Sequence, residues 1–236
     1  MTLDAERIDP PARDPVSSVL KWVLLVVAIL TFALLAWATV VTYRTIPPQP
    51  ERFVTRTGTV IASAGDIVVG KGGFQKADLM DYGSLYGMGS YYGEDYTGST
   101  LVNLGTATRE NLAKAETLAG FASLPAERQA AMTASMQGAL QRIDLTQREV
   151  VLPDAVAAAF TSVRDQIAAS LTVANPAADW TPAYSLTPQL ARQTADFLVY
   201  SALTTVARRP GVTWSWTENW PYERKRSIIV VYPTAL

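Results

Sequence analysis

The stretch whose reading decides this chain is DYGSLYGMGSYYGEDYTG, residues 81–98. It holds five glycines and five tyrosines, and no histidine, cysteine or lysine. Glycines at 83, 87, 89, 93 and 98 oppose a long helix. Residues 87–93 have the spacing G-x-G-x-x-x-G. A dinucleotide fingerprint needs G-x-G-x-x-G after a strand, and a Walker loop ends in Lys-Ser/Thr; neither is present. What remains is a loop whose glycines let backbone approach closely and whose tyrosines supply rigid contact area. On composition alone two uses stand level: wrapping its own domain, or packing on a partner.

The rest of the chain narrows the chemistry by absence. Its 236 residues make room for one anchored domain or two small ones, and 49% of them are hydrophobic, enough for a sizeable core. Net charge is −1, without a basic stripe or zinc-finger spacing, so nucleic acid is not an expected partner. There is no cysteine, hence no thiol catalysis and no thiolate-held cluster. There is no histidine, the commonest general base and metal ligand, and C-x-x-C-H haem attachment is impossible. Catalysis by carboxylates, Lys or Tyr stays open.

Residues 22–41, WVLLVVAILTFALLAWATVV, carry no charge. Twenty residues at helical rise cover about 30 Å, the thickness of a hydrocarbon core. Trp22, Trp37 and Tyr43 lie near the ends, where amphipathic rings favour the interface. The run exceeds a signal-peptide core and a polar segment precedes it, which favours an uncleaved anchor, placed at 22–43. Residues 1–21, rich in Pro and Asp, read as a disordered cytoplasmic segment. Arg7, Arg13 and Lys21 before the span balance Arg44, Arg52 and Arg56 after it, so charge alone does not orient it. The large segment after the span is expected outside the cytoplasm.

Pro47, Pro48 and Pro50 make residues 44–52 a stiff spacer. Residues 53–61 and 66–69 read as short strands, with a turn at 70–73. Helices are expected at 108–122, 124–145, 152–171 and 187–207. The last starts at Thr187-Pro188, with Leu190, Thr194, Phe197, Leu198, Ser201 and Val206 inward. The chain is therefore mainly α with a few short strands. TWSWTENWPYE, residues 213–223, holds Trp214, Trp216 and Trp220, three of six tryptophans, and reads as a short strand and a turn. Such a cluster closes a domain, or lies against a membrane, another protein chain or a carbohydrate. Glu94, Asp95 and Glu218 are the acids set deepest in these unusual segments; a turn-capping Asp95 and a solvated Glu218 are the ordinary reading.

Two stretches together resemble one family. GSLYGMGSYYGEDYT, residues 83–97, is similar to a glycine-rich segment in the extracytoplasmic domain of quinol-dependent nitric oxide reductases, including the Asp-aromatic-Thr step at Asp95-Tyr96-Thr97. TWSWTENWPYE resembles the segment leading from that domain into the membrane part. The order agrees too, from residue 22 to about 223: span, strands, Gly/Tyr loop, helices, Trp-rich exit. The resemblance implies a cytochrome c-like extracytoplasmic domain at 53–223 that has lost its haem. It implies a location in the bacterial inner membrane, and docking on a multi-span bundle that carries haem b and non-haem iron and reduces nitric oxide to nitrous oxide with quinol electrons. With no histidine to match, the family's catalytic and metal residues carry over to no position here; no cofactor is expected on this chain. Some family members have a histidine where Met88 stands.

The family usually continues into further spans, whereas residues 224–236 read as a divergent tail with a strand at 227–232. The haem-bearing bundle is therefore expected to be separate or missing. The partner face is assigned to Tyr82, Tyr86, Gly87, Gly89, Tyr91, Tyr92, Trp214, Trp216 and Trp220. The alternative is a stand-alone, membrane-anchored binding or sensor module.

Overall fold

The computed structural model describes residues 17–90, 92–117, 120–172 and 185–217. It divides into two units, residues 1–46 and 47–236. The first contains one helix, α1 (Ser18–Thr45), of 28 residues. At helical rise it is about 42 Å long, more than a hydrocarbon core needs. It has no buried residue, and Ser17 caps its start by accepting from the Leu20 N–H. Thr31, Thr39 and Thr42 turn their hydroxyls back onto carbonyls four residues earlier, so the hydroxyl protons are satisfied inside the helix. It is long and apolar enough to cross a membrane.

The second unit is mainly helical. Its elements are β1 (Arg52–Val54), β2 (Val60–Ser63), α2 (Ala64–Lys76), the single turn α3 (Leu79–Tyr82), the hairpin β3 (Ser84–Leu85) and β4 (Met88–Gly89), α4 (Tyr96–Thr117), α5 (Ala126–Gln141), β5 (Glu149–Val151), α6 (Asp154–Thr172) and α7 (Pro188–Val206). A small sheet has the order β2-β1-β5, with β1 antiparallel to β2 and parallel to β5.

Three expectations change here. The helix expected from 108 already begins at Tyr96 and carries Gly98 and Gly105 inside it, because its buried side, from Tyr96 and Leu101 to Leu104 and Ala113, outweighs the propensity cost of two glycines. Residues 53–61 are not one strand: the chain turns at 55–59, where the Thr55 N–H donates to the Thr59 carbonyl and Gly58 takes φ +84°. Residues 66–69 are helix, and the expected turn at 70–73 lies inside α2. Ile67-Val68-Val69 has strand propensity, but Ser63 and Asp66 form a reciprocal capping box that starts a helix three residues earlier. Burial alone would raise the Asp66 carboxyl; bonds from Ser63 and Gln193 outweigh it and hold it below the ordinary range.

The core is organised around α7. Thr187 caps it with Pro188 in the first turn, as expected. Its inner face is wider than the expected stripe: from Thr194 to Val206 every residue but Tyr200 is buried. α2, α4 and α6 all pack on it. α2 comes closest, because a Cβ added at Gly70 would overlap the Gln193 carbonyl and one at Gly73 the Thr194 hydroxyl. Phe74 of α2 then reaches Tyr96 edge-on at 5.6 Å and Phe197 at 5.8 Å between centroids. On the sheet side Phe53 meets Phe160 at 5.8 Å and Tyr200 at 6.5 Å.

A buried polar knot joins α6, α7 and β2. Arg164, 3% exposed, donates from Nη1 to the Ile61 carbonyl at 2.8 Å and from Nε to Asp165 at 3.2 Å. Asp196 lies 3.7 Å from Arg164 Nη1, an ion pair too long for a hydrogen bond, and its Oδ1 is unpartnered. Burial pushes the Asp196 carboxyl up to about 7, with Arg164 pulling it only part of the way back.

Two outcomes follow for the full chain in detergent, read by urea denaturation. Gly70→Ala should lose roughly 1–3 kcal/mol or more through overlap with α7, whereas Gly72→Ala, with nothing within 4 Å, should gain up to about 1 kcal/mol of helix propensity. Asp196 binds its proton more tightly folded than unfolded. Its contribution to stability is therefore full below about pH 4 and lost as pH rises through about 7. Asp196→Asn should flatten that slope; an unchanged pH profile would show that Asp196 does not titrate in this window.

Candidate functional site

The Gly/Tyr stretch is a tight hairpin laid over the end of α7. Leu85 and Met88 pair across a two-residue turn, Tyr86-Gly87, with φ +55° and +72°. Both signs are positive, the geometry that matches the twist of a hairpin but strains a tyrosine. Two bonds hold Tyr86 there: its N–H donates to Thr97 Oγ1 at 3.0 Å, and its hydroxyl lies 3.0 Å from Thr204 Oγ1 on α7. Burial raises the Tyr86 hydroxyl above its ordinary value, so it stays protonated and able to donate.

Asp95 fastens the hairpin from below. Its Oδ2 accepts from Ser84 Oγ at 2.7 Å and from the Gly87 N–H at 2.6 Å, while Oδ1 accepts from the Gly98 N–H at 2.7 Å and so caps α4. With three donors on one carboxylate, Asp95 is a structural anchor, in line with the ordinary reading of this acid. Gly83 and Gly93 serve packing: a Cβ at Gly83 would overlap the Glu94 carbonyl, and one at Gly93 the Tyr82 ring.

The Trp-rich segment reaches the same place. The Trp216 backbone N–H donates to the Thr204 carbonyl at 3.2 Å, and the Trp216 ring lies 4.9 Å from the Arg209 guanidinium. Arg209 donates from its side chain to the Trp216 carbonyl at 2.8 Å and from its backbone N–H to the Trp214 carbonyl at 3.1 Å. The expected strand is absent at 213–217; these residues form bends with one bridge, Arg208 to Ser215. Thr204 thus takes one bond from each of the two unusual segments, on opposite ends of the residue.

This divides the expected partner face. Tyr82, Tyr86, Trp214 and Trp216 are partly buried within their own domain. Gly87 and Gly89, with φ +72° and +134°, serve the turn, so valine at either tests hairpin geometry before it tests docking. Tyr92 is 91% exposed. Tyr91, Trp220, Glu218 and the 227–232 strand lie outside the described residues. The residues the sequence reading missed are Met88, 65% exposed at the tip, and Met80, 38% exposed, whose methyl lies 3.3 Å from the Cβ position of Gly89. The signal was there: an apolar side chain between two glycines of a short turn has nothing of its own to pack on.

Among the described residues no group of three or more acids gathers in metal-binding geometry. A covalently held c-type haem does not fit the donor set, since the chain has neither the cysteines that attach it nor the histidine that ligates it. What the geometry provides is a locked backbone displaying Met80, Met88 and Tyr92.

Asp95→Ala should strand the Ser84, Gly87 and Gly98 donors and cost roughly 2–3 kcal/mol. Limited proteolysis should then cut at 84–93 faster than elsewhere, with Asp95→Asn intermediate. Equal cleavage in wild type and Asp95→Ala would show that the hairpin does not depend on this carboxylate.

None of the curated proteins matches the chain. A family model does match, over residues 50–222: the cytochrome c-like domain of the nitric oxide reductase component NorB. That interval takes in the sheet, the hairpin, every helix among the described residues of the second unit, and Trp214, Trp216 and Trp220. With almost three quarters of its length so matched, the chain belongs to the NorB cytochrome c-like domain family of nitric oxide reductases, and carries part of a nitric-oxide-reductase-like protein.

Proposed function

We propose that this chain is the membrane-anchored, non-catalytic part of a nitric-oxide-reductase-like complex, docking on a multi-span haem-bearing bundle that reduces nitric oxide with quinol electrons. The observation that carries the reading is the hairpin tip. Met88 stands in solvent directly after a turn whose backbone is pinned by Asp95 and Thr204, and Tyr92 stands in solvent beyond the hairpin. An exposed methionine on a pre-organised hairpin gives contact area at little ordering cost, and the exposed tyrosine beyond it adds more. Methionine adapts to an uneven partner surface, and tyrosine adds a hydroxyl for the rim. The family membership supplies the kind of partner. In this reading α1 is an uncleaved anchor in a bacterial inner membrane, the second unit is extracytoplasmic, and the haem belongs to the partner.

The chain should be purified from its native membranes in mild detergent, and its reduced-minus-oxidised spectrum recorded. Haem b bands should accompany a large multi-span partner. Met88→Glu with Tyr92→Ala should remove that partner by at least about tenfold while leaving thermal unfolding unchanged, since exposed substitutions usually stay within about 0.5 kcal/mol. A haem-free wild-type chain without a partner would overturn the docking role and favour a stand-alone binding module.

A further inference from the structure

The outward face of α2 does not look like the solvent face of a soluble helix. Gly65, Val68 and Gly72 recur at spacings of three and four, so they share one side, opposite the buried Ile67, Gly70, Gly73 and Phe74. Val68 is 60% exposed and its neighbour Val69 47%. Gly70 and Gly73 are explained by the close approach of α7. Gly72 is not: a Cβ there meets nothing within 4 Å, yet glycine inside a helix is disfavoured against alanine. The flat, apolar strip is flanked by two exposed cations, Lys71 and Lys76. The one acid of α2, Asp66, is turned into the capping box and onto Gln193.

The start of α2 is tied to the chain that leaves the anchor. The Gln49 side chain donates to the Ala64 carbonyl at 3.1 Å, the Ala64 N–H donates to the Glu51 carbonyl at 2.9 Å, and the Tyr200 hydroxyl donates to the Pro48 carbonyl at 3.1 Å. Gln49 is only four residues after Thr45, the last residue of α1. Four residues span at most about 14 Å. The tether between the end of α1 and Gln49 is therefore short.

We propose that the outward face of α2 rests on the lipid surface beside the anchor. Val68 and Val69 enter the boundary between headgroups and acyl chains, and Lys71 and Lys76 meet anionic headgroups. This rests on α1 being an uncleaved anchor, but not on any protein partner. Lipid fits better than a protein helix because the exposed charges within α2, Lys71 and Lys76, are both cations, with neutral Gln75 beside them, the pattern of interfacial helices. Each lysine is drawn to an anionic surface, and two valines add a little more. So small a contact would not hold a free protein. It suffices here because the anchor has already made the encounter intramolecular.

The absence of native cysteine makes the test direct. The full chain carrying Val68→Cys, or Ser135→Cys on the exposed side of α5 as control, is labelled with an environment-sensitive fluorophore. It is then reconstituted in vesicles of phosphatidylcholine and phosphatidylglycerol, with a spin label at the headgroup depth of some lipids. The Val68 position should emit further to the blue and be quenched at least about twofold more than the Ser135 position, and Lys71→Glu with Lys76→Glu should weaken the difference. Equal quenching at both positions, in a chain that resists carbonate extraction, overturns the lipid contact and leaves the anchor standing. Extraction by carbonate removes the anchor, and the proposal with it. Protection of the Val68 position from aqueous quencher in native membranes, without lipid quenching in vesicles, overturns it in favour of a protein partner.

Discussion

The second unit depends on one helix that has no solvent side to speak of. α7 is enclosed over its last thirteen residues except at Tyr200, and four of its buried side chains are hydroxyls, those of Thr194, Ser201, Thr204 and Thr205. A buried hydroxyl must find an acceptor, and each of these turns back to a carbonyl three or four residues earlier. The helix thereby satisfies its own donors and presents small side chains outward. That is what lets α2 come close enough for Gly70 and Gly73 to touch its backbone. Larger residues on either helix would force them apart and open the aromatic contacts of Phe74.

The same economy links the core to the surface. Thr204 donates its proton to the Ser201 carbonyl, which leaves its oxygen free to accept from Tyr86. Its own carbonyl takes the Trp216 backbone N–H. One residue of the central helix therefore sets the position of the hairpin and of the chain beyond α7. The strained Tyr86 backbone persists because the surroundings over-determine it, through Thr97, Thr204 and the Asp95 clamp on the next residue. A turn held that tightly displays its tip in one conformation, which is what a docking element requires.

The domain departs from a haem protein in its donor groups rather than in its helical character. Without histidine and cysteine a c-type haem cannot be attached, and the interior is filled by aliphatic side chains with a few aromatic ones, and holds the Arg164–Asp196 pair, whose desolvation offsets its attraction. The hairpin tip and the outward face of α2 are separate surfaces with different chemistry: thioether and phenol on one, valine, glycine and lysine on the other.

By itself the sequence determined the class of the molecule. An uncharged run of twenty residues, the α7 start at Thr187-Pro188 and the order of the Gly/Tyr and Trp-rich segments were enough for a helix able to cross a membrane, a mainly helical domain and its family, since these signals are local and do not need a neighbour to be read. The role of Asp95 was also within reach, because Asp before a glycine- and threonine-bearing helix start is ordinary capping chemistry. The helical state of residues 66–69 was not legible. It is settled by a capping box and by contact with Gln193 and Thr194, more than a hundred residues away, against a local preference for strand. Nor was the split of the aromatic residues into packed and displayed ones. Tyr86 and Tyr92 have the same composition around them, and only the position of Thr204 in space decides that one is bound and the other stands in water.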